Sequence, residues 1–545
     1  MTTPVRLLAD RVHARSAETS WYTRLQQGLP VESIRVEGPA TWRDDAAFAR
    51  GILEELRQLP GDLSEDDRLT AGFLEHVLDA QIQQGKGSLL GFDITPYSSY
   101  TVGLVLRMVF PGFSGPPATY LSLVSDLRDQ IAEYRTRLIA QRDAGILIPA
   151  LALPGTRESL QRVRDTSAAL LPASAPGEVS ERAAALVSDE LLPEFDGLIS
   201  VLDAAYEKSA PELLGQGQYV GGEDHYRWLV GHHTASALTP EQLHELGLEQ
   251  VADLTERMAK ARADMGAPAS EQEFHTQLET DPRVHATSPD EVQAVFRKHM
   301  ARLEPLIGQY FSVLPNAEYD TERLAPEAEA GMTYGYYSAP TSANPKGVYY
   351  WNGANLESKS LLTYAALIFH ELAPGHHFHI ARQAENEALP DVRRYGAAIG
   401  AFNEGWAEYA AGLGWEMGLY DDPLDGYGRL VHERFTAQRL VVDTGLNHYG
   451  WTRDEAAAYM KANTTDSDAQ IASEVLRYGT DLPAQALAYR AGFVELTRLR
   501  AKAEQALGDR FDVRAYHEEV LGPGALPFPV IDGHLDRWIA SQLAG

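Results

Sequence analysis

The stretch that most constrains the fold is an uncharged run at residues 361–369 that ends in His370-Glu371 and meets a proline at residue 374. The run is rich in good helix formers, so it predicts a buried helix. Proline inside a helix clashes with the carbonyl four residues back, which here belongs to His370. The helix must therefore end, kink or widen at this point, and Gly375 supplies the freedom for the turn.

Histidines on both sides of this break indicate a metal site. The usual zinc motif, His-Glu-x-x-His, places two ligands one helical turn apart and uses the glutamate as a general base. Pro374 occupies the second ligand position here. On an ideal helix His376 would lie on the wrong face, about 240° from His370, and His377 would lie about 10.5 Å along the axis. A widened turn would bring His376 close to the usual position. We predict His370 and His376 as ligands and Glu371 as the base. We expect His377 to support the site or contact substrate, although the two adjacent histidines could exchange roles.

A third ligand is predicted in the helical segment at residues 402–410. The chain has no cysteine, so a metal must be held by histidine, aspartate or glutamate. Glu404 and Glu408 are four residues apart and face the same way on a helix. We predict that Glu404 binds the metal and that Glu408 orients a ligand histidine. The alternative is a solvated acidic face, but Phe402 and Trp406 are not typical of a surface.

A second set of candidate site residues lies near the C-terminus. Arg477, Tyr478, Tyr489 and Arg490 offer hydrogen-bond donors in an otherwise apolar stretch. Amide hydrolysis builds negative charge on the carbonyl oxygen, which a phenol or a guanidinium can stabilise. We predict catalytic roles for Tyr478 and Tyr489 and supporting or substrate-binding roles for the two arginines. The alternative for each tyrosine is a core position with its hydroxyl satisfied.

The spacing of apolar residues predicts a mostly helical fold with a deep cleft. Apolar residues recur every three or four positions over residues 41–84, and residues 117–143 predict a long amphipathic helix. Thr239-Pro240 and Ser288-Pro289 are helix start signals. Residues 89–113 are apolar and indicate a buried loop or a cleft wall. We predict an N-terminal helical lobe at residues 1–225 and a catalytic lobe at 226–545, interleaved in one unit.

A β-hairpin is predicted at residues 332–351, beside the motif helix. An exposed edge strand at residues 348–352 could bind an extended peptide through its main chain, with Tyr350 and Asn352 as contacts. The alternative is a buried aromatic strand that only supports the motif helix.

Composition excludes several partner classes. The 545 residues carry 77 acidic against 47 basic side chains, a formal net charge of -30. Nucleic acid is disfavoured because phosphate binding needs a basic surface, and no polybasic stretch indicates an anionic membrane. No signal peptide or membrane-spanning run is evident, so we expect a cytoplasmic chain that could form a homodimer. The negative charge serves solubility, or it favours cationic substrates or metal ions.

Four segments together resemble one bacterial family. HELAPGHH at residues 370–377, NEGWAEY at 403–409, RLVVDTG at 439–445 with GWT at 450–452, and RYGTDLPAQALAYRAG at 477–492 are similar to domain of unknown function 885. The resemblance covers roughly residues 40–540. It implies a mostly helical metallopeptidase of the zincin group, with zinc held by His370, His376 and Glu404 and with Glu371 as base.

The sequence departs from the family pattern at two places. Asn447 stands where the family usually has histidine, and His448 follows it. Ala484 stands in Pro483-Ala484-Gln485 where the family often has glycine.

Three functions are compatible with these residues. The favoured hypothesis is a zinc-dependent peptidase that hydrolyses short peptides with a glutamate base. The others are a zinc hydrolase of a non-peptide amide or ester, and a non-catalytic peptide-binding protein with a degenerate site, which the missing histidine at residue 374 suggests. A di-iron bundle is disfavoured because it needs two Glu-x-x-His pairs, and the clear pair, Glu241 to His244, stands alone.

Overall fold

The computed structural model describes residues 3–96, 100–329, 335–341, 344–356, 359–396 and 398–544. The predicted mostly helical class is confirmed, because 69% of the chain is helical and 3% lies in strands. Across the described ranges, no helix is both long and apolar enough to cross a membrane.

Several of the helices that precede residue 330 begin at recognisable capping residues. Thr239 and Ser288 cap their helices as predicted, each accepting a backbone N–H. The predicted helix at residues 117–143 is confirmed in full. The helices that precede residue 330 are α1 (Pro4–Thr19), α2 (Trp21–Gln26), α3 (Pro39–Arg57), α4 (Glu65–Gln84), α5 (Tyr100–Met108), α6 (Pro117–Asp143), α7 (Leu153–Ser174), α8 (Ser180–Leu186), α9 (Leu192–Val201), α10 (Ala204–Ser209), α11 (Gly222–Thr234), α12 (Pro240–Asp264), α13 (Glu271–Leu278), α14 (Pro289–Leu303), α15 (Ile307–Tyr310) and α16 (Pro326–Glu329).

The helices after the sheet carry the candidate site. They are α17 (Tyr364–Glu371), α18 (His376–Glu385), α19 (Asp391–Arg394), α20 (Gly400–Gly412), α21 (Pro423–Asn447), α22 (Arg453–Asn463), α23 (Asp468–Leu476), α24 (Leu487–Leu507), α25 (Val513–Leu521) and α26 (Phe528–Ala544). A π-helical turn, Arg477–Asp481, continues α23.

The described residues form one sheet of three strands. The strands are β1 (Tyr319–Arg323), β2 (Gly335–Ser338) and β3 (Gly347–Trp351). The β2–β3 pair is antiparallel, which confirms the predicted hairpin in its described part, while residues 332–334 and 342–343 of that prediction lie outside the described residues. β1 pairs with β3 in parallel. β3 is therefore the central strand, and the prediction of an exposed edge at residues 348–352 is wrong.

Two large cores organise the chain. Residues of α1 and α4, such as Val5 and Leu74, share one buried cluster with Phe369 of α17 and Leu535 of α26. A second cluster holds α5, α6 and α9 together through residues such as Leu127 and is separate from the first. The segment at residues 89–113, predicted as a loop or cleft wall, includes α5, while the division at residue 225 stays a prediction.

Candidate metal centre

The polypeptide breaks between Glu371 and His376, where the sequence predicted it. α17 ends at Glu371, the Ala373–Pro374 peptide bond is cis, and α18 begins at His376. A Cβ on Gly375 would lie 1.9 Å from the carbonyl oxygen of His370, so only glycine fits this close approach. Trp406 Nε1 of α20 donates to the carbonyl oxygen of Pro374 at 2.9 Å. The break is thus tied to the helix that carries the third predicted ligand.

The break brings the three predicted metal ligands together. His370, His376 and Glu404 place one ligand atom each within 4.8 Å of one another. Glu404 Oε2 lies 3.6 Å from His370 Nε2 and 3.4 Å from His376 Nε2. Hydrogen bonds of this type are shorter, about 2.7–3.2 Å. Ligands held tetrahedrally at zinc distances of about 2.1 Å would be about 3.4 Å apart, so the spacing fits a shared zinc ion.

Glu408 fixes the orientation of His370. Its Oε1 lies 3.0 Å from His370 Nδ1, which leaves Nε2 directed at Glu404. The same oxygen accepts from His432 Nε2 at 2.7 Å, and Oε2 accepts from Arg429 at 3.0 Å. Glu408 is fully buried. These partners outweigh the effect of burial and hold the pKa of Glu408 well below its usual range.

Burial and pairing shift the pKa values of the cluster in opposite directions. Burial would lower the pKa of His370, but pairing with Glu404 and Glu408 raises it to about 10. Burial would raise the pKa of Glu404, but its pairing with His370 and His376 holds it well below its usual range. Burial raises the pKa of Glu371, and the attraction of the two histidines only partly offsets this. Among the three carboxyl groups of the centre, Glu371 is therefore the one whose proton affinity is raised.

His377 points away from the three ligands. Its Nε2 lies 2.9 Å from the carbonyl oxygen of Ala317, and its Nδ1 lies 2.9 Å from the hydroxyl of Tyr337. Burial lowers the pKa of His377 to about 4, so the ring is neutral near pH 7. Both ring nitrogens have partners outside the cluster, which favours His376 over His377 as the ligand.

Tyr489 is the predicted tyrosine that lies beside the cluster. Its ring is nearly parallel to that of His370, at 6.3 Å between centroids. The guanidinium of Arg439 lies 4.6 Å from the centroid of the Tyr489 ring, and Arg477 is hydrogen-bonded to its side chain. Burial raises the pKa of Tyr489 to about 12. Tyr489 therefore keeps its proton and can donate it in a hydrogen bond.

Tyr478 and Arg490 belong to buried networks next to the centre. The hydroxyl of Tyr478 accepts from Arg439 Nε at 2.9 Å and donates to Glu474. Arg490 pairs with Glu433 at 3.3 Å, and Glu433 pairs in turn with Arg429 at 3.1 Å. Arg490 thus reaches Glu408 only through two intervening side chains.

Tyr350 and Asn352 lie in and after the central strand of the sheet. The ring of Tyr350 packs at a tilt against that of Tyr336 of β2, with 5.4 Å between centroids. Asn352 is buried, and its amide donates to the carbonyl oxygen of Glu329 and accepts from the N–H of Ala354. These contacts fit the alternative prediction of a strand that supports the motif helix.

Sequence reasoning missed three residues of the centre. His432 and Arg429 lie on α21 and bind both oxygens of Glu408, and Tyr337 of β2 binds His377. His432 precedes Glu433 in one of the four His-Glu pairs of the sequence, which gives no specific signal. Arg429 and Glu433 are four residues apart, and this spacing could have predicted an ion pair on one face of the helix. No local signal marks Tyr337, because only the register of the sheet brings it to His377.

The two departures from the family pattern have structural explanations. Asn447 is buried, donating to the carbonyl oxygen of Tyr478 at 3.0 Å and accepting from the N–H of Gln216 at 2.9 Å. His448 pairs with Glu241 at 3.0 Å. Ala484 has a φ of 69°, in the left-handed region that favours glycine.

Comparison with known proteins identifies the family. The model of the family described as "Bacterial protein of unknown function (DUF885)" matches residues 24–535. The chain belongs to this family. A search of curated proteins gives no significant match.

Two solved structures align along almost the whole chain. One, from Colwellia psychrerythraea, is described as a candidate lipoprotein and has a TM-score of 0.87 at 22% identity, covering 98% of this chain and 99% of its own. The other, a candidate lipoprotein of unknown function from Shewanella oneidensis, has a TM-score of 0.79 at 18% identity, covering 97% and 99%. At these identities the likeness establishes the fold alone. An oligoendopeptidase F-like structure from Bacillus anthracis has a TM-score of 0.23 and carries no argument.

Proposed function

We propose that this DUF885 protein is a zinc-dependent hydrolase of amide bonds in short peptides. The observation that carries the proposal is the convergence of His370, His376 and Glu404 at the spacing of zinc ligands, with Glu371 directly after His370 in sequence. Two imidazoles and one carboxylate leave a fourth position open, which is typical of catalytic rather than structural zinc sites.

The donor set fits zinc on chemical grounds. Both imidazoles present Nε2 to the same carboxylate oxygen, and the other nitrogen of His370 is held by Glu408. A carboxylate behind a ligand histidine fixes the tautomer and raises the basicity of the ring. When bound, zinc supplies the Lewis acidity that polarises a carbonyl and activates water at neutral pH.

Glu371 is the proposed general base. Its carboxylate accepts the proton of the attacking water and then passes it to the leaving amine. Burial raises the pKa of Glu371, which brings its proton affinity closer to what a base needs near neutral pH. The neighbouring histidines partly offset this rise, because their positive charge favours the ionised carboxylate.

Tyr489 is the proposed donor to the substrate carbonyl oxygen. Its proton is retained at neutral pH, and Arg477 and Arg439 hold the ring beside His370. A donor that is already in place where charge develops costs no reorganisation during the reaction. Tyr478 has an indirect role: its hydroxyl accepts a hydrogen bond from Arg439, whose guanidinium lies against the ring of Tyr489.

An extended peptide would pair with β2 rather than with β3. β2 is an edge strand of the described sheet, and its Tyr337 reaches the centre, whereas both sides of β3 are paired. Main-chain pairing with an edge strand aligns a peptide without reading its side chains. The homodimer and the cytoplasmic location stay predictions.

The alternatives differ in substrate or in activity. A non-peptide amide or ester could use the same centre. The non-catalytic alternative was motivated by the missing histidine at residue 374. After the break, His376 lies close enough to His370 and Glu404 to take the place of that ligand, which counts against this alternative.

The variant Glu371→Gln tests the mechanism. It removes the base but none of the proposed ligands, so we expect full zinc content and a fall in kcat of about 10²–10⁴-fold on a library of short peptides. The matched control is Glu245→Gln, which changes the exposed glutamate of the His244-Glu245 pair on α12. Full activity of Glu371→Gln with zinc retained would contradict the mechanism. A wild type that binds no zinc and cleaves nothing would contradict the function.

A further inference from the structure

All three strands of the sheet converge on His377. The ring of Tyr319, the first residue of β1, lies 5.0 Å from the His377 ring, and Tyr337 of β2 lies 2.9 Å from its Nδ1. A Cβ on Gly347 of β3 would lie 2.3 Å from that same nitrogen, so this strand needs glycine to approach. The sheet therefore holds the His377–Tyr337 pair in a fixed position beside the centre.

The partners of His377 determine where its proton lies. A backbone carbonyl oxygen can only accept, so the contact with Ala317 requires the proton on His377 Nε2. Neutral imidazole then has a lone pair on Nδ1, and the Tyr337 hydroxyl must donate to it. The carbonyl is itself held in place, because Glu385 accepts the N–H of Ala317 at 2.9 Å. The direction of the Tyr337 O–H bond is thus fixed by the fold.

Tyr337 also faces the proposed catalytic groups. Its ring stacks on that of His376, with an interplanar angle of 20° and 6.4 Å between centroids. The negative charge of Glu371 adds to burial in raising the pKa of Tyr337. The stacked rings place the phenol beside His376, one of the proposed ligands.

We propose that Tyr337 is a specificity-determining acceptor that recognises the N–H of a substrate amide. With its proton committed to His377, the hydroxyl offers the substrate an oxygen lone pair and not a donor. A substrate N–H can donate to that lone pair. An ester oxygen in the same place is itself an acceptor, so it would face the Tyr337 oxygen without a hydrogen bond between them. The inference rests on the proposed hydrolase function and narrows its substrate class to amides.

The experiment compares an amide with its ester. The probes are the short peptide that the wild type cleaves fastest in a library, and its depsipeptide, in which oxygen replaces the scissile N–H. For the variant Tyr337→Phe we expect kcat/KM on the peptide to fall by about 10- to 100-fold, while kcat/KM on the depsipeptide stays within about twofold. Zinc content and melting temperature measured on the same sample show that the variant is folded and loaded.

The control variant is Tyr22→Phe on α2, outside the strand that is proposed to pair with the peptide. Tyr22 is 45% exposed, so its change should leave kcat/KM unchanged on both the peptide and the depsipeptide. An equal loss on peptide and depsipeptide in Tyr337→Phe would overturn the acceptor role while leaving the hydrolase function in place. If the wild type cleaves neither probe class, the hydrolase function fails, and this inference fails with it.

Discussion

Two clusters of metal-ligand residue types share His370, and the distances within them differ. In the first cluster, Glu404 lies 3.6 Å from His370 and 3.4 Å from His376. In the second, Glu408 lies 3.0 Å from His370 and 2.7 Å from His432. The 2.7 Å contact with His432 is a hydrogen bond and the 3.0 Å contact with His370 is a close ion pair, whereas the longer distances are those of atoms arranged around a common ion.

The clusters also differ in how their charge is balanced. Both oxygens of Glu408 are occupied, and Arg429, itself fully buried, supplies the cation. Glu404 is balanced mainly by the two histidines that would become neutral ligands of a metal. A group of histidines and a carboxylate therefore indicates a metal site only when no other side chain of the protein satisfies the carboxylate oxygens and neutralises their charge.

The largest expected effect separates the two adjacent histidines. His376→Gln removes a proposed ligand, so we expect loss of stoichiometric zinc after dialysis against a weak chelator, together with loss of activity. His377→Gln is the matched control and should retain zinc, because His377 contacts Ala317 and Tyr337 instead. Metal analysis of both purified variants checks this. Zinc lost from His377→Gln but kept by His376→Gln would reverse the assignment.

The position of these histidines shows how far sequence reasoning reaches. Pro374 predicts that the helix breaks, and the break is present between Glu371 and His376. Sequence spacing alone left His376 and His377 exchangeable. The choice depends on Tyr337 and on the carbonyl of Ala317, which lie about 40 and 60 residues away in the chain.

The sheet was only partly predictable for a related reason. The aromatic hairpin gave a clear signal, but β1, with the sequence Tyr-Asp-Thr-Glu-Arg, reads as a polar loop. Because β1 pairs in parallel with β3, it turns the predicted edge into the centre of the sheet. Because the polar sequence of β1 did not predict a strand, β3 was wrongly predicted to be an exposed edge.

An intermediate effect is expected where the two clusters meet. Glu408→Gln removes the carboxylate that orients His370 and also pairs with Arg429. Loss of such an outer partner typically weakens metal affinity by about 10- to 100-fold. Competition with a zinc indicator measures this, and the same variant should also unfold at lower urea, because it leaves Arg429 buried with one fewer charge partner. Unchanged zinc affinity would show that Glu408 stabilises only its own cluster with His432 and Arg429 and does not support the metal site.

The smallest effect tests the turn that precedes α24, the helix that carries Tyr489. Ala484 is buried with a φ of 69°, whereas Ala486, equally buried, has a φ of -65°. Both substitutions by glycine lose a buried methyl group and gain chain entropy, but only Ala484→Gly relieves a left-handed backbone. We expect Ala484→Gly to be about 1–2 kcal/mol more stable than Ala486→Gly in urea unfolding. Equal stabilities would show that the turn carries no backbone penalty.

The position of the metal tests the central claim most directly. The measurement is an anomalous difference map at the zinc edge from crystals of the purified protein. We predict one zinc per chain, bound by Nε2 of His370, Nε2 of His376 and the carboxylate of Glu404. A peak among His370, Glu408 and His432, or a metal bound only at other residues, would contradict the account.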